Sequence, residues 1–573
     1  MSRQTVEKMN ILFSKPDWFR VLLLSALALR CRPVEAVPGQ TLVHLVQDTL
    51  YNLRNEDNSN LVYSSIVAFL LMVLLQRFYR HRAMLCYGMP VMTHPPQGRP
   101  WPFLGHALNF LSYRPWDLLM SWHNLYGPIV CFDLLGSTMF SLASPSLLKL
   151  VLQSKIQSVK KDISNTMKHF IVILGTGIVT SENQSWIKQR LKMSHPLRVE
   201  VLEMIPRQTL LAVQRWMTKL DAACETQESV EVGSSLRHLT LQVISGTFLS
   251  LSAEESDSTF AKMYLPIVDE SNLRVWHPYR AYLFMLPVFW KYLWNVHNLN
   301  RYVSHLIRVR WLVRQQERIN GGSVRTQDIL DGVLKAHEKE FPHQMNLPEM
   351  AVRQFRDEMK TFMLAGHETS AAMMTWTLYE LLANTALMQR VSEEGASLFA
   401  RNVDWSRAGA DELPSNDQLK HLILSEACLR ESLRKYSVVP IVARRTVEDL
   451  YLEDGKYFIP KGSSFLINIQ AIHHDPNLWP NPMRFDPDRF VDGEIVPYTF
   501  LPFIAGPRNC LGQHLALLES KMVISLLAQR YIFSLGEGAT LEVDDWENDK
   551  DPRHRFMVPV VPKEELKVTV QRK

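Results

Sequence analysis

A chain of 573 residues, 46% hydrophobic and 21% charged, has material for a large buried core and too much apolar content for wholesale disorder. Its formal net charge of +5 is slight for that length, and no basic run or stripe stands out, so nucleic-acid binding is not indicated. The six cysteines (Cys31, Cys86, Cys131, Cys224, Cys428, Cys510) are scattered without a CxxC pair, which excludes a secreted disulfide framework and zinc-finger spacing.

Two apolar stretches come first in the chain. Val21–Leu29, flanked by Arg20 and Arg30, is too short to span a bilayer and resembles a signal-type apolar region. Residues 1–59 are read as an N-terminal extension: a second membrane element, a cleavable signal or an organelle address. Leu61–Leu75 carries no charge and is followed by Arg77, Arg80, His81 and Arg82. A spanning helix usually needs ~20 apolar residues, and Phe78 and Tyr79 extend this one through the interface. A membrane anchor is expected over 60–82, its basic flank holding the downstream chain on the cytoplasmic side. A buried core helix is the alternative, but nothing nearby upstream offers it a packing surface.

Residues 83–105 read as a connector. Within it, His94-Pro95-Pro96-Gln97-Gly98-Arg99-Pro100-Trp101-Pro102 is stiff and non-helical, because each proline fixes φ and removes an amide donor. Residues 106–573 are expected to form one folded domain, mainly α with small β-sheets. Tyr126-Gly127-Pro128 turns into an extended run through Phe132. From about 145 to 440 the apolar pattern is mostly helical, and Leu347-Pro348-Glu349 opens a long helix that runs past Leu382. Beyond Pro440 short strands alternate with Pro and Asp turns, then a helix returns from Gly512 to about Arg530. The end is again strand and loop.

Two stretches carry chemistry. The first is Phe503-Ile504-Ala505-Gly506-Pro507-Arg508-Asn509-Cys510-Leu511-Gly512. It offers one cysteine on a loop, with small residues that let a bulky planar group approach the backbone: Gly506 permits the turn and Gly512 a close following helix. The N-terminal amides of that helix favour a thiolate. The second is Ala365-Gly366-His367-Glu368-Thr369-Ser370 on the long helix. A mid-helix glycine costs roughly 1 kcal/mol relative to alanine. Either it packs tightly against a neighbour, or the helix opens there.

The first stretch resembles the haem-binding signature of the cytochromes P450, Phe-x-x-Gly-x-Arg-x-Cys-x-Gly, at every defining position. Five fixed positions would match by chance in about two chains per ten thousand of this length. The resemblance covers nearly the whole chain after residue 90. It implies the P450 fold and a non-covalent haem (heme b) whose iron is ligated by Cys510, with Phe503 covering the sulfur and Arg508 pairing with a propionate. In the second stretch it implies an oxygen site beside Gly366, with Thr369 and Glu368 relaying protons. Trp186 and Arg190 match Trp-x-x-x-Arg, and Arg444 matches a further arginine; both sets imply propionate binding. Glu431 and Arg434, with Arg489 in Phe485-Asp486-Pro487-Asp488-Arg489-Phe490, imply a buried structural charge network in which Asp488 replaces the usual glutamate. His473 is implied to be structural; because adjacent residues in a strand point to opposite faces, His473 and His474 are not expected to share a metal.

The activity implied is insertion of one atom of O2 into a lipophilic substrate (fatty acid, carotenoid, sterol or other isoprenoid), with NADPH-derived electrons from a separate reductase. A basic face around Arg484, Arg508 and Lys521 would dock that partner. The two chemical stretches look like the clan of fatty-acid ω-hydroxylases and carotenoid ring hydroxylases. Ala365 stands where several fatty-acid members carry a haem-esterifying glutamate, so covalent attachment is not expected. Lys435-Tyr436-Ser437-Val438-Val439-Pro440 stands where relatives usually have a Tyr-Pro-Pro run, and Val438, Val439 and Val442 line the pocket in this reading. Aromatics at Trp276, Tyr279, Tyr282, Phe284, Phe289, Trp290, Tyr292 and Trp294 are either core or an interfacial belt near the substrate entrance. The expected location is the endoplasmic reticulum membrane with the domain facing the cytosol, or alternatively a plastid or other organelle membrane. Two rivals remain, a haem-thiolate isomerase or dehydratase and a non-catalytic haem-binding or sensor protein; intact Glu368 and Thr369 argue against the first, and the second requires a blocked pocket.

Overall fold

A computed structural model of the chain describes residues 104–536 and 559–573, apart from 113, 136, 164–166, 195, 283, 321–327, 339, 341–343, 401, 492 and 563–564. All belong to one compact unit, Ala83–Lys573. The expected extension (1–59), anchor (60–82) and all but the end of the connector lie outside the described residues. Among the described residues, no helix is long and apolar enough to cross a membrane.

The helices that build the interior are α1 (Asn183–Ser194), α2 (Pro196–Thr226), α3 (Val232–Leu249), α4 (Ala261–Trp276), α5 (Pro287–Ile319), α6 (Glu349–Ala383), α7 (Thr385–Leu398), α8 (Ile423–Tyr436) and α9 (Gln513–Arg530). The axis of the bundle is α6, 35 residues long. It begins after Pro348, and Val352, Phe355, Met359, Met363, His367, Ala371, Met374, Leu378 and Leu381 keep the three-to-four-residue spacing that puts one stripe against neighbouring helices. Around Ser370–Leu378 nearly every position is buried, so the helix passes through the middle of the core. Asn384 ends it and its side chain accepts the Leu387 N–H at 3.0 Å, starting α7 in the same turn.

Strands β1 (Ile129–Leu134), β2 (Ser137–Leu142), β3 (Val159–Lys161), β4 (Val230–Glu231), β5 (Ile441–Thr446), β6 (Leu450–Leu452), β7 (Tyr457–Ile459), β8 (Ser464–Asn468), β9 (Tyr531–Leu535) and β10 (Lys567–Arg572) make three small sheets. The largest has the order β1-β2-β8-β5-β3, with β2 and β8 parallel and the other pairs antiparallel. Strands β4, β10 and β9 form a second sheet, and β6 pairs with β7. The five-stranded sheet has its own core around Phe140, Leu142, Phe465 and Ile467, separate from the helical core. Its register sets Lys161 directly opposite Arg444, although the two are far apart in the chain.

One local expectation fails. His473 lies not in a strand but in a helical turn, Ile469–His473, which Asn468 caps by accepting the Ala471 N–H at 3.0 Å. That cap ends β8 at Asn468, although apolar residues continue to Ile472. The histidines still have separate partners: His473 bonds Ser437 Oγ (2.9 Å) and accepts the Leu501 N–H (2.9 Å), while His474 meets the Lys435 carbonyl (2.7 Å). Burial pushes both far below the ordinary imidazole range. No cluster of metal-ligating side chains occurs among the described residues.

Candidate active site

The Cys510 loop folds on itself. The Cys510 N–H reaches the Phe503 carbonyl at 2.9 Å and the Asn509 N–H reaches the Gly506 carbonyl at 3.0 Å. Gly506 has φ of 79°, and a Cβ there would lie 2.2 Å from the Leu152 carbonyl oxygen, so both the turn and the packing demand glycine. A Cβ on Gly512, in contrast, would meet nothing within 4 Å. Cys510 is exposed, although the loop lies between core elements. Enough protein surrounds it that burial raises its thiol pKa, against the opposing Gly512 N–H and the nearby Arg190 charge. A thiol that is accessible yet enclosed by protein opens onto an internal space.

The second stretch borders open space as well. Ala365 is exposed, although the flanking residues of α6 are largely buried. The Thr369 hydroxyl donates to the Ala365 carbonyl at 2.6 Å. The expected opening of the helix is absent, because α6 is continuous through Gly366. What Gly366 provides is closeness: a Cβ would sit 2.6 Å from Ile244 Cδ1 on α3. Glu368 is tied up rather than free. Its carboxylate pairs with Arg237 of α3 and lies 3.1 Å from His367 Nε2. Burial would raise its pKa, but His367 and Arg237 outweigh that and lower it to about 2. A carboxylate so held is a poor proton donor until Arg237 moves away.

Four cations gather near the cysteine loop. Arg190 on α1 donates to Asn509 through its carbonyl (2.8 Å) and side-chain oxygen (2.5 Å). Arg508 bonds Glu182 (2.6 Å) and lies 4.1 Å over the Trp186 ring. Arg444 is buried, and among the described residues its Nε has no hydrogen-bond partner. Lys161, which the sequence motifs do not single out, completes the set from β3, its Nζ on the Val179 carbonyl at 2.9 Å. Burial, then Arg444 and Arg508, lower the Lys161 pKa to about 7; burial, then Arg508, lower that of Arg444 to about 10. Glu182 is the acid among them, accepting both the Lys161 N–H (3.1 Å) and Arg508.

Like charges opposite one another on neighbouring strands are destabilising. Lys161 beside Arg444, with an orphaned guanidinium nitrogen, therefore calls for an anion. The residues fit a haem on three counts: an accessible thiol in the interior, room where a Gly512 Cβ would project, and a cation cluster matched to two carboxylates. Arg508, Arg190, Arg444 and Trp186 would hold the propionates, with Lys161 added to them.

The remaining expected residues are distributed as follows. Arg434 forms a two-pronged pair with Glu431, both bonds 2.7 Å and both residues fully buried, and Arg489 Nε lies 3.4 Å from the same carboxylate at the half-buried edge of the network. Asp488 is outside that network, paired with Arg390 at 3.1 Å. Val439 and Val442 are half-buried, one against the helical core and the other against the sheet core, and Phe503 packs on the helical core. The proposed basic docking face does not form. Arg508 is turned inward onto Glu182 and Trp186, and Lys521 is buried on Glu426 at 3.0 Å, which leaves Arg484 as the exposed member. A basic residue next to a loop cysteine or on a buried helix face is recruited by internal acids first.

The family model for Cytochrome P450 matches residues 95–556. Among curated proteins, "Cytochrome P450 4c21" of Blattella germanica is 27% identical over 456 residues, covering 75% of this chain and 86% of that protein. A "Cytokinin hydroxylase" of Arabidopsis thaliana is 31% identical, covering 65% and 68%. "Cytochrome P450 4X1" of Homo sapiens is 27% identical, covering 62% and 69%. Among solved structures, the cytochrome P450DA heme domain aligns at a TM-score of 0.68 and 22% identity, over 84% of this chain and 97% of that one.

Proposed function

Because this chain belongs to the cytochrome P450 family of haem-thiolate monooxygenases, we propose that Cys510 is its axial thiolate and that it hydroxylates a lipophilic substrate beside Ala365 and Thr369. The haem, when bound, activates O2 with electrons delivered from a reductase. The protein's part is to hold, shield and supply protons. Arg508, Arg190, Arg444 and Lys161 anchor the propionates. Gly512 and Arg190 favour the thiolate. Thr369 presents a hydroxyl on the open side of α6, and Glu368 becomes a proton source only after releasing Arg237. Ala365, lacking a carboxylate, leaves the haem non-covalent.

The observation that carries this reading is the accessible Cys510 thiol inside the fold, next to a surplus of buried positive charge. The test is spectroscopic. Reduced holoenzyme with carbon monoxide should show the thiolate-ligated absorption, and Cys510→Ser should abolish both it and NADPH-supported oxygenation. A histidine-type spectrum at full haem occupancy overturns the assignment. Substrate class is read by screening fatty acids, sterols, carotenoids and other isoprenoids for a haem spin-state change.

The partners follow from surfaces. Residues 60–82 are read as the membrane anchor, with the enzyme on an endoplasmic reticulum or other organelle membrane. The aromatic segment supports the belt over the core: Tyr279, Tyr282, Phe284, Trp290 and Trp294 are all exposed, and Tyr292 is the buried pin. An apolar face of that extent suits a lipid boundary. For the reductase we favour the outer side of α1, where Ile187, Lys188 and Leu191 are exposed and Arg190 bridges to Asn509 next to Cys510.

A further inference from the structure

One proton is missing from the Glu368 site. Arg237 and His367 both meet the same carboxylate oxygen, Oε1, and hold it ionised. Turning Arg237 away therefore frees a base, not an acid, and a proton has to reach Oε1 before Glu368 can pass one to Thr369. Tyr264 on α4 is not the source. Burial raises the pKa of that phenol well above the ordinary range, and the Glu368 charge adds to the rise.

The contacts of His367 supply the proton. The imidazole is fully buried, and both of its nitrogens face acceptors. Nδ1 lies 3.1 Å from the Met363 carbonyl, which cannot donate, so Nδ1 carries hydrogen. Nε2 lies 3.1 Å from Glu368 Oε1, and two bare lone pairs at that distance repel, so a proton sits there as well. Among the described residues Nε2 has no well-aligned partner, which leaves that proton held by charge rather than by a directed bond. The ring cannot turn away. Tyr264 meets it edge-on at 5.2 Å, with its hydroxyl 3.5 Å from Nδ1, and is itself stacked on Phe260. Thr240 on α3 donates to the His367 carbonyl at 2.9 Å and fixes the backbone. Charge agrees with the count of protons. Arg237 also reaches Asp269 at 3.0 Å, so one guanidinium and one imidazolium face two carboxylates, and the group is neutral. An uncharged imidazole would leave a surplus negative charge, which a buried site disfavours.

We propose that His367 stores the proton that Glu368 delivers. The proposal rests on the monooxygenase reading above and adds where the proton waits. When Arg237 pivots onto Asp269, the N–H bond at Nε2 breaks and an O–H bond forms at Glu368 Oε1. Imidazolium and carboxylate become imidazole and carboxylic acid; one proton moves and no electron does. Glu368 then donates toward Thr369, and a solvent proton entering past the partly exposed Arg237 returns through Glu368 to Nε2. His367 acts through Glu368 and touches no reacting atom, so it is a positioning residue. In the ferrous carbon monoxide form of the holoenzyme, solid-state nitrogen NMR of isotope-labelled histidine should show one doubly protonated imidazole that is absent from H367Q. E368Q should turn that signal into a neutral imidazole, which assigns it even where H367Q does not fold. In turnover, H367Q should slow product formation by about tenfold or more and raise its solvent isotope effect, with the carbon monoxide spectrum unchanged. A neutral His367 in the wild type, or an H367Q enzyme whose isotope effect is unaltered whatever its rate, overturns the proton store and leaves the monooxygenase reading standing. A wild type without thiolate-ligated absorption and turnover overturns both.

Discussion

Lys161 and Arg444 stand opposite each other on β3 and β5, and that register costs the protein something until an anion arrives. The Lys161 pKa of about 7 lies well below the ordinary 10.5, so between those values the unfolded chain binds more protons than the folded apoprotein. Apoprotein stability should therefore rise as pH climbs from 7 toward 10, and the rise should flatten in Lys161→Met. Haem reverses the sign. With propionates in place the lysine forms charge-assisted bonds worth roughly 1.5–3 kcal/mol, so Lys161→Met should release haem about ten- to a hundredfold faster. Apoprotein melting against pH and haem transfer to apomyoglobin check the two halves; a variant that melts higher without haem yet holds haem as tightly contradicts the argument. Three of the four cations were legible because each sits in a short motif. Lys161 sits in a plain Lys-Lys pair, and only the closing of β3 onto β5 reveals it. Arg237 was hidden for the same reason, since its partner Glu368 comes from another helix.

Helix α6 was legible from Pro348 to its apolar stripe, but not the contacts that hold a loop against its first half. The Thr176 N–H donates to Asp357 at 3.1 Å and the Ile178 N–H to Glu358 at 3.0 Å, while Gly175 and Gly177 pass so close that a Cβ on either would collide with α6 side chains. Two acids on successive residues, both tied to one loop, are a tertiary fact that periodicity does not carry. Glu358 is buried, and that burial raises its pKa from the ordinary 4.5 to about 7, against the Ile178 and Gln354 bonds that lower it. The folded state thus binds more protons than the unfolded chain between those values, and stability falls as pH rises through the window. Glu358→Gln keeps the shape and removes the ionisation. It should leave stability nearly unchanged at pH 4.5 and raise it by at most about 3 kcal/mol above pH 7, the worth of such a shift. Denaturant midpoints at the two pH values decide; a loss at neutral pH would mean that the Ile178 bond needs the charge.

At the scale of the whole molecule, the helical core and the sheet core are separate apolar clusters, and polar contacts tie the elements around the cysteine loop together. Arg434 on α8 is fully buried and reaches Glu431, the His473 carbonyl at 2.9 Å and the Arg484 carbonyl at 3.3 Å, and Glu431 accepts the Asp486 N–H at 2.9 Å. Arg489 extends the network to the Pro480 carbonyl at 2.6 Å. One guanidinium and one carboxylate therefore fix α8, the His473 turn and the Phe485–Phe490 segment relative to each other. Such a pair earns little net stability against well-packed apolar side chains, yet removing one member strands the other in a low-dielectric interior. Arg434→Met should accordingly cost roughly 3–5 kcal/mol and depress haem incorporation, even though the residue is remote from any reacting atom. Glu431→Leu should do nearly as much. The double variant Glu431→Leu/Arg434→Met should be less damaged than the sum of the two, because neither charge is left alone, although the carbonyls of His473 and Arg484 still lose their donor. Thermal melting of the holoenzymes, with the carbon monoxide spectrum as the measure of intact ligation, separates the cases. If the two losses add fully, the pair acts as two independent anchors, and the rigidity of the cysteine side comes from packing instead.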